Sequence, residues 1–355
     1  NEHQMIIDTL KTFVEQELYP HEAEVEKTNE IRPELYAEIK QKALDLGLYA
    51  ANMPEEHGGA GLDSLTLCLM ERELGRANFG LQYIVGRPSN ILLACKGDQI
   101  ENYLHASIRG DKVDCLAMTE PNAGSDVRSM QCRAERDGDD FVINGTKHFI
   151  SHADVADFVI LFAASGVEET PRGPKKKITS FLIDKDTPGF TVEPGYNSVS
   201  HRGYHNSILN FDNCRVHKSQ VLGEEDHGFD VANEWLGATR LSVAAMCLGR
   251  AERALEIATE WAATRKQFGQ SVGKFQGVSF KLADMATELK AAELLTMFAA
   301  WKDCTGEMTD SDAAMAKLKA TEMLAMVSDE AIQILGGMGL MDELPLERIW
   351  RDQRV

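Results

Sequence analysis

The sequence predicts an α+β protein in which a helical amino-terminal domain, a middle antiparallel β domain and a carboxy-terminal four-helix bundle follow one another. Three observations support this order. Apolar residues recur at helical spacing in the first third, short β-rich segments separated by turn residues fill the middle, and long helical patterns return from about Phe229. Helices and strands do not alternate, which argues against a parallel nucleotide-binding sheet. The expected domains are residues 1–112, 113–221 and 222–355.

The amino-terminal domain is predicted to open with an amphipathic helix. Its apolar residues recur at helical spacing and stop before Pro20, which predicts a helix over residues 2–19. A second helix is predicted over residues 33–46. Asp63 follows a run of glycines and is positioned to cap a third helix.

The middle of the chain is punctuated by turn residues. Asn144-Gly145 is a strong two-residue hairpin sequence and predicts a turn at that position. The basic run 175–177 is interpreted as a solvated hairpin tip, and His201 and His205 as solvated loop residues rather than metal ligands. The predicted strand segments are 141–143, 158–162, 178–183 and 207–211.

The carboxy-terminal domain shows stripes of Leu and Ala at helical spacing. The residues 241–255 predict one long helix and the residues 280–294 part of another. Two further helices, over residues 311–334 and after Gly339, would complete an antiparallel bundle.

Composition restricts the function. The 355 residues include 37 Lys and Arg against 56 Asp and Glu, a formal charge of −19 that disfavours nucleic acid and anionic membranes as partners. Any anionic ligand must therefore be held by locally placed cations. The seven cysteines form no Cys-x-x-Cys pair, which argues for a reducing compartment and against a zinc site. No apolar run approaches the roughly 20 residues of a membrane span, and no metal site is predicted.

The run MTEPNAGSD at residues 118–126 is the most informative stretch of the chain. It follows an apolar, strand-like segment, and Pro121 and Gly124 give a rigid turn that a ligand can approach closely. Thr119 and Ser125 can then offer short hydrogen bonds, which indicates a flat polar ligand. The alternative is an ordinary surface loop, which uses the same residue types.

Three further motifs follow in order. They are NGTKHFIS at 144–151, TRKQFG at 264–269 leading to Phe275-Gln276, and QILGGMG at 333–339 leading to Arg351-Asp352. Together with residues 118–126 they resemble the acyl-CoA dehydrogenase family over essentially the whole chain. The resemblance implies an FAD-dependent enzyme with the three-domain fold described above.

The resemblance also implies which residues contact FAD. Thr119 and the main chain near Met118 would meet the pyrimidine edge, Ser151 would donate toward N5, and Arg265 would hold the pyrophosphate of a neighbouring subunit's FAD. Alternatives remain open: Phe149 as a core aromatic residue and Arg265 as an exposed helix-end cation. The matching positions are Met118, Thr119, Phe149, Ile150, Ser151, Arg265, Gln267, Phe268, Gln276, Gln333, Gly336 and Gly337.

For acyl-CoA, Ser125 and Arg240 match pantetheine and coenzyme contacts, with a structural role of Arg240 on its helix as the alternative. The basic run 175–177 could help to attract coenzyme A phosphates. The stretch 81–88 is expected to overlie the acyl pocket, where Arg87 could favour a carboxylated acyl group or could instead point outward. In most members of the family the catalytic Glu would fall about five residues beyond Val355 of this sequence. In a minority of members it lies on a helix, at the position where this chain has Thr239.

The resemblance implies dehydrogenation of an acyl-CoA to a trans-2-enoyl-CoA, with electrons passed to an electron-transfer flavoprotein. It also implies a homotetramer, in the cytoplasm of a bacterium or the mitochondrial matrix of a eukaryote. The rival functions are an acyl-CoA oxidase, another flavoenzyme on the same scaffold, and a catalytically idle flavin-containing binding protein.

Overall fold

The computed structural model describes residues 2–86, 88–171 and 173–355. The first predicted helix is confirmed: after the α-helix ends at Phe13, a π-helical turn continues to Leu18. Asp63 caps its helix as predicted, since its carboxylate accepts a hydrogen bond of 2.8 Å from the main-chain N–H of Thr66. The amino-terminal helices are α1 (Glu2–Phe13), α2 (Glu22–Thr28), α3 (Pro33–Asp45), α4 (Ser64–Leu74), α5 (Phe79–Val85) and α6 (Ala106–Ile108).

The middle of the chain forms a β-sheet. The described residues build one sheet in the order β6-β7-β3-β2-β4-β5-β8, and β1 also pairs with β4. Most neighbours are antiparallel, as expected, but β1 and β2 each run parallel to β4. The strands are β1 (Asp114–Ala117), β2 (Arg133–Asp137), β3 (Asp140–Ser151), β4 (Phe158–Thr170), β5 (Gly173–Asp184), β6 (Phe190–Pro194), β7 (Asn206–His217) and β8 (Val221–Leu222).

Strand β4 lies in the middle of the sheet and is buried on both faces. Its residues 159, 161 and 163 join one apolar cluster, while residues 158, 160 and 162 join a second cluster on the opposite face. Successive side chains of a strand point to opposite faces, so a strand covered on both sides needs a continuous apolar sequence. This explains why the run 158–162 does not alternate with polar residues.

The predicted turn at Asn144-Gly145 is wrong. Both residues lie inside β3, where Asn144 pairs with Arg133, and the β2–β3 hairpin turns instead at Gly138 and Asp139. The glycine is needed for a different reason: a Cβ on Gly145 would lie 2.6 Å from the Cα of Cys132.

The prediction of a solvated hairpin tip at residues 175–177 is also wrong. These residues lie within β5 and pair with residues 166–168 of β4. The ammonium of Lys177 lies 2.8 Å from a carboxylate oxygen of Asp226, and that of Lys176 donates to the carbonyl oxygen of Met130 at 2.6 Å. Two of the three ammonium groups therefore have protein partners.

The carboxy-terminal helices pack as an alanine-rich bundle. Its four helices are confirmed in the described chain, and α4 of the amino-terminal region also packs against the two longest of them. A short hairpin, β9 (Lys266–Gln267) with β10 (Gln270–Ser271), joins the first two helices. The helices are α7 (Gly228–Thr264), α8 (Gln276–Cys304), α9 (Asp310–Leu335) and α10 (Leu346–Asp352).

A buried ionic network ties the two helical regions together. Glu22 on α2 is 6% exposed, and its carboxylate lies 2.9 Å from the guanidinium of Arg253 and 3.0 Å from that of Arg348. The main-chain N–H of Asn78 also donates to it at 2.7 Å. Although burial opposes ionisation, Arg348 and Arg253 hold the pKa of Glu22 below its ordinary value.

None of the helices in the described residues has the length and the apolar character that a membrane crossing requires.

Candidate active site

A buried ion pair joins the two motifs that were predicted to meet. The ammonium of Lys147, on β3, lies 2.7 Å from a carboxylate oxygen of Glu120, and the two side chains are 0% and 4% exposed. The same ammonium donates to the carbonyl oxygen of Met118 at 2.9 Å. The main-chain N–H of Gln131 donates to the second carboxylate oxygen of Glu120, and that of Cys132 donates to the oxygen that Lys147 contacts. The loop is thereby fixed against the strand.

This contact places two of the predicted hydroxyl donors, Thr119 and Ser151, on neighbouring pieces of chain. Thr119 accepts a hydrogen bond of 3.0 Å at its carbonyl oxygen from the main-chain N–H of His148, three residues before Ser151 on β3. Thr119 is half-buried and the Ser151 side chain is exposed at the strand end. The sequence therefore predicted the approach of these two motifs, whereas the Lys147–Glu120 pair that enforces it was missed. The available signal was one residue of opposite charge in each motif, a Glu in the first and a Lys in the second.

Phe149 is presented to the outside of the chain. Its backbone adopts φ +56° where the pairing of β3 with β7 is interrupted between Lys147 and Ile150. The ring is 54% exposed and contacts Tyr196, with ring centroids 5.0 Å apart. The alternative of a core aromatic residue is wrong for Phe149. Ile150 is 2% exposed, so its side chain belongs to the core and any contact with FAD would have to come from its main chain.

A second group of predicted FAD contacts lies at the joint between α7 and α8. Arg265 and Gln267 are exposed, and Phe268 is 93% exposed. The guanidinium of Arg265 lies 5.9 Å from the ring centre of Trp261 on its own helix. Gln276, the first residue of α8, is exposed as well. The contacts of Arg265 and Phe268 stay at this joint, on other elements than the loop and strand that carry Thr119 and Ser151.

The third group lies at the end of α9. Gln333 is exposed in the last turn of the helix, and Gly336 follows with φ +61°. A Cβ placed on Gly336 or Gly337 would meet nothing within 4 Å. Both glycines therefore border open space, and a ligand can approach their main chain without obstruction.

The two predicted acyl-CoA contacts are placed differently. Ser125 is exposed in the loop at residues 118–126. Arg240 lies on α7 and makes a loose ion pair of 3.7 Å with Asp310 at the start of α9. Its structural role on the helix therefore has a partner in the structure. Arg87 lies outside the described residues.

His201 and His205 do not form a solvated pair. The ring of His201 stacks on Phe79 with centroids 4.1 Å apart, and burial lowers its pKa to about 4, so the prediction of solvated imidazoles is wrong for this residue. His205 contacts Asp154 at 3.0 Å and the carbonyl oxygen of Asn29 at 2.7 Å. Among the residues that the structure describes, no group of three or more His, Cys, Asp or Glu side chains is arranged to hold a metal ion.

The donor set fits a flavin. A flat, partly apolar ring system with polar edges matches an exposed aromatic ring at Phe149 together with the hydroxyl residues Thr119 and Ser151 on the adjoining segments. An anionic pyrophosphate matches the exposed fork of Arg265, which keeps its charge and offers fixed donors. The catalytic Glu expected beyond Val355 stays a prediction.

Comparison with known proteins gives the same identification. Three family models match: the acyl-CoA dehydrogenase N-terminal domain over residues 1–111, its middle domain over 115–214 and its C-terminal domain over 226–355. The 3-(aryl)acrylate reductase of Clostridium sporogenes is 36% identical over 359 residues, which cover 100% of this chain and 93% of that protein. The human mitochondrial short-chain specific acyl-CoA dehydrogenase is 37% identical over 360 residues, with 99% and 85% covered.

A solved structure agrees with these relatives. The glutaryl-CoA dehydrogenase of Mycobacterium smegmatis, in complex with FADH2, superposes with a TM-score of 0.89 at 26% identity and covers 100% of this chain and 89% of that chain. The similarity extends over all three regions of the fold, and the residues around Thr119, Ser151 and Arg265 suit the same cofactor. The chain therefore belongs to the acyl-CoA dehydrogenase family of FAD-dependent oxidoreductases.

Proposed function

We propose that this protein removes two hydrogens from an acyl-CoA thioester to form a trans-2-enoyl-CoA and passes the electrons to an electron-transfer flavoprotein. The observation that carries the proposal is the juxtaposition of Thr119 and Ser151, which the Lys147–Glu120 pair holds on adjoining segments beside the exposed ring of Phe149. Such fixed donors suit a redox ring on which negative charge develops.

The chain's own residues supply binding and orientation. When bound, FAD supplies the hydride acceptor that amino-acid side chains lack. Met118, Thr119 and Ser151 would hold its ring, and Phe149 would pack beside it. The acyl-CoA would lie along the loop that carries Ser125, with Arg240 as a cation for its coenzyme portion and the stretch 81–88 over the acyl chain.

The remaining predicted contacts would hold the rest of the cofactor across a subunit boundary. Their exposure on the helical bundle supports this arrangement, because Arg265 and Phe268 are open to a partner while Thr119 and Ser151 lie at the β-sheet. A homotetramer is the proposed assembly. Large apolar side chains exposed on α8 and α9 supply surface for it: Phe280, Leu294, Phe298, Trp301 and Leu318.

Short acyl thioesters are the proposed substrates, because the human relative is named for short-chain acyl-CoA and is similar over 99% of this chain. The proposed location is a reducing compartment, either a bacterial cytoplasm or a mitochondrial matrix. All seven cysteines are free, and only Cys304 is exposed. Cysteines that form no disulfide bonds are typical of proteins in reducing compartments.

The bacterial relative favours a second candidate on the same site. It is named as a reductase of 3-(aryl)acrylates, so the same donors could serve saturation of a conjugated double bond rather than its formation. An acyl-CoA oxidase is the other flavoenzyme alternative. A catalytically idle DNA-binding flavoprotein is disfavoured by the net charge of −19.

Anaerobic mixing of the FAD-loaded protein with a panel of acyl-CoAs tests the proposal. Loss of the flavin absorption band with straight-chain, branched or dicarboxylic substrates, and its recovery with an electron-transfer flavoprotein, is the expected result. Recovery with oxygen and formation of peroxide would identify an oxidase, and bleaching only by a reductant followed by reoxidation with an enoyl or arylacrylyl thioester would identify a reductase. No bleaching with any acyl-CoA, despite bound FAD, would defeat the proposal.

A further inference from the structure

Arg250, on α7, is a buried cation that lacks a counter-charge. The residue is 7% exposed, and its Nη2 atom is enclosed without a hydrogen-bond partner in the described part of the chain. No carboxylate among those residues forms an ion pair with it. Arg253, three residues further along the helix, differs in this respect, because its guanidinium lies 2.9 Å from the carboxylate of Glu22. An unpaired charge is costly inside a protein, so an anionic ligand at Arg250 would offset that cost.

The groups around Arg250 leave its charge uncompensated. Its guanidinium lies over the ring of Phe79 on α5, 5.4 Å from the ring centre. Phe79 also stacks with His201, and burial lowers the pKa of His201 to about 4, so this imidazole is neutral at pH 7. The carboxylate of Asp352 accepts a hydrogen bond of 2.8 Å from the main-chain N–H of His201 and does not pair with Arg250. A cation–π contact stabilises a cation without neutralising it.

A stripe of partly accessible residues on α7 leads to Arg250. Between Leu241 and Gly249 this helix is buried except at Val243 and Met246. Residues 239, 243, 246 and 250 follow one another at intervals of three or four, so their side chains lie on one face of the helix. Thr239, at the other end of the stripe, is half-buried and occupies the position of the catalytic Glu in a minority of family members.

The helix α5 carries a similar stripe. Phe79 and Tyr83, four residues apart, are its two residues that are not buried. Because Phe79 meets Arg250, the two stripes come together at this point. The stretch 81–88, which begins in α5, is the one proposed to overlie the acyl chain. An acyl chain that starts beside Thr239 and follows both stripes would therefore end at Arg250.

We propose that Arg250 binds the terminal carboxylate of a dicarboxylic acyl-CoA whose acyl chain lies between α5 and α7. The inference rests on the proposed function and deepens it by naming the class of acyl group. A guanidinium offers paired donors in a fixed fork that fits a carboxylate. The methyl end of an unsubstituted chain would leave the buried charge unpaired, while the side chains of Val243 and Met246 suit the methylene groups between the two ends of the chain.

A panel of dicarboxylic acyl-CoAs tests the inference, each compared with the monocarboxylic acyl-CoA of the same number of carbons. The pairs are glutaryl with pentanoyl, adipyl with hexanoyl, suberyl with octanoyl and sebacyl with decanoyl thioesters. Anaerobic bleaching of the FAD-loaded protein gives a limiting rate and a half-saturating concentration for each. In the wild type, at least one dicarboxylic substrate should half-saturate at a concentration about tenfold or more below that of its monocarboxylic partner.

Arg250→Met should abolish this preference. The half-saturating concentration of the favoured dicarboxylic substrate should rise about 10-fold to 100-fold, the range for a lost charge-assisted contact. Its limiting rate should change little, because the contact lies at the end of the chain remote from the reacting carbons, and monocarboxylic substrates should bind as well as before. Arg250→Lys should restore part of the preference, since it keeps the charge and loses the fork.

The stability of the substrate-free protein separates binding from a structural role. Arg250→Met should leave the free energy of unfolding unchanged or raise it, because it removes an unpaired buried charge. Loss of a structural contact with Phe79 would lower it instead. Arg215→Met is the matched control: this arginine is 52% exposed and pairs with Asp137 and Asp140 at the surface, and its substitution should change neither substrate preference nor stability.

Each outcome decides the inference. A wild type with no dicarboxylic preference at any chain length, or a preference that survives in Arg250→Met, would overturn it. If Arg250→Met does not fold, the wild-type panel and Arg250→Lys decide, and an undiminished preference in Arg250→Lys would exclude the bidentate contact. Bleaching by monocarboxylic substrates alone would refute this inference and leave the proposed function standing, whereas no bleaching by any acyl-CoA despite bound FAD would refute the proposed function.

Discussion

Lys147 donates to Glu120 across 2.7 Å inside the protein, where the two side chains are 0% and 4% exposed. An ion pair of this kind contributes little net stability over an apolar pair, but it is costly to break from one side. Here it also has a specific effect on position. The same ammonium donates to the carbonyl oxygen of Met118, so the loop that carries Thr119 is fixed by one side chain of the neighbouring strand.

Substitution of Lys147 by Met should therefore destabilise the protein by about 3 to 5 kcal/mol, because it leaves the carboxylate of Glu120 buried without its partner. The retained FAD should fall as well, since the 118–126 loop loses its anchor. Urea unfolding and the ratio of flavin to protein absorbance measure the two effects. Lys218→Met is the control: its ion pair with Asp139 is 50% and 68% exposed and should change stability by no more than about 1 kcal/mol. Equal effects of the two substitutions would contradict the anchoring role of Lys147.

Glu22→Gln should lower the free energy of unfolding by about 3 kcal/mol at neutral pH, because Arg253 and Arg348 lose their buried counter-charge. The folded pKa of Glu22 is lowered from its ordinary value of 4.5. Its ionic contribution is therefore fully present above that value, and it is lost as the pH falls through the folded pKa. Unfolding of wild type and Glu22→Gln between pH 7 and acid should show the two curves converging at the acid end.

Glu24→Gln, on the same helix, is the comparison for that experiment. Glu24 pairs with Arg32 at the surface, with the two side chains 42% and 55% exposed, so about 1 kcal/mol is the most that its loss should cost. Wild-type stability in Glu22→Gln, or a difference between the curves that grows toward acid, would show that the network does not hold the charge as described.

Arg265→Gln should weaken FAD binding by about 10-fold to 100-fold, since the substitution removes a charge-assisted contact to the pyrophosphate. The folding of the chain should be little affected, because the side chain is exposed and its nearest described partner is Trp261. Fluorescence titration of the apoprotein with FAD gives the dissociation constant. The neighbour Lys266→Gln changes charge equally at an exposed position and should bind FAD as the wild type does. Equal affinities of both variants would support the exposed helix-end cation instead.

Gly145→Ala should cost about 1 to 3 kcal/mol of stability, because its Cβ would lie 2.6 Å from the Cα of Cys132 and would push β2 away from β3. Gly166→Ala is a matched control, since both glycines adjoin register shifts in the sheet and the nearest atom to a Cβ there is the Lys177 Cδ at 3.5 Å. Thermal unfolding monitored by circular dichroism distinguishes the two. A harmless Gly145→Ala would mean that the strands can separate without penalty.

The sequence predicted those parts of the fold that depend on the spacing of neighbouring residues. Helical spacing located the first helix up to Leu18, the carboxylate of Asp63 marked a helix start, and the apolar run 158–162 marked a strand. The turn at Asn144-Gly145 was mispredicted because an Asn-Gly pair is typical of a hairpin turn, whereas both residues lie inside a strand here. Only the partner strand, with Cys132 directly against the glycine, reveals why a residue without Cβ is required there.

In the candidate site, too, the sequence predicted local features and missed contacts between distant segments. The motifs located Thr119, Ser151 and Arg265 by position in the chain, and the structure places the first two on adjoining segments. The rings packed on His152, the residue after Ser151, come from distant segments: Tyr83 lies on a helix in the first third of the chain and Tyr204 on a loop in the middle region. A single sequence holds no signal that those two phenols meet, because nothing in their neighbours fixes the packing of α5 on that loop.

The position of Glu22 has a consequence for dissecting the molecule. Its carboxylate neutralises cations from the first and the last helix of the carboxy-terminal bundle. A fragment that began at the β-sheet would lack the carboxylate that balances these two guanidinium groups, and it would expose to water a surface that is buried in the intact chain. The three regions seen in the sequence therefore mark changes between helical and strand structure and are not independent folding units. Limited proteolysis should release no amino-terminal fragment that leaves a stably folded remainder.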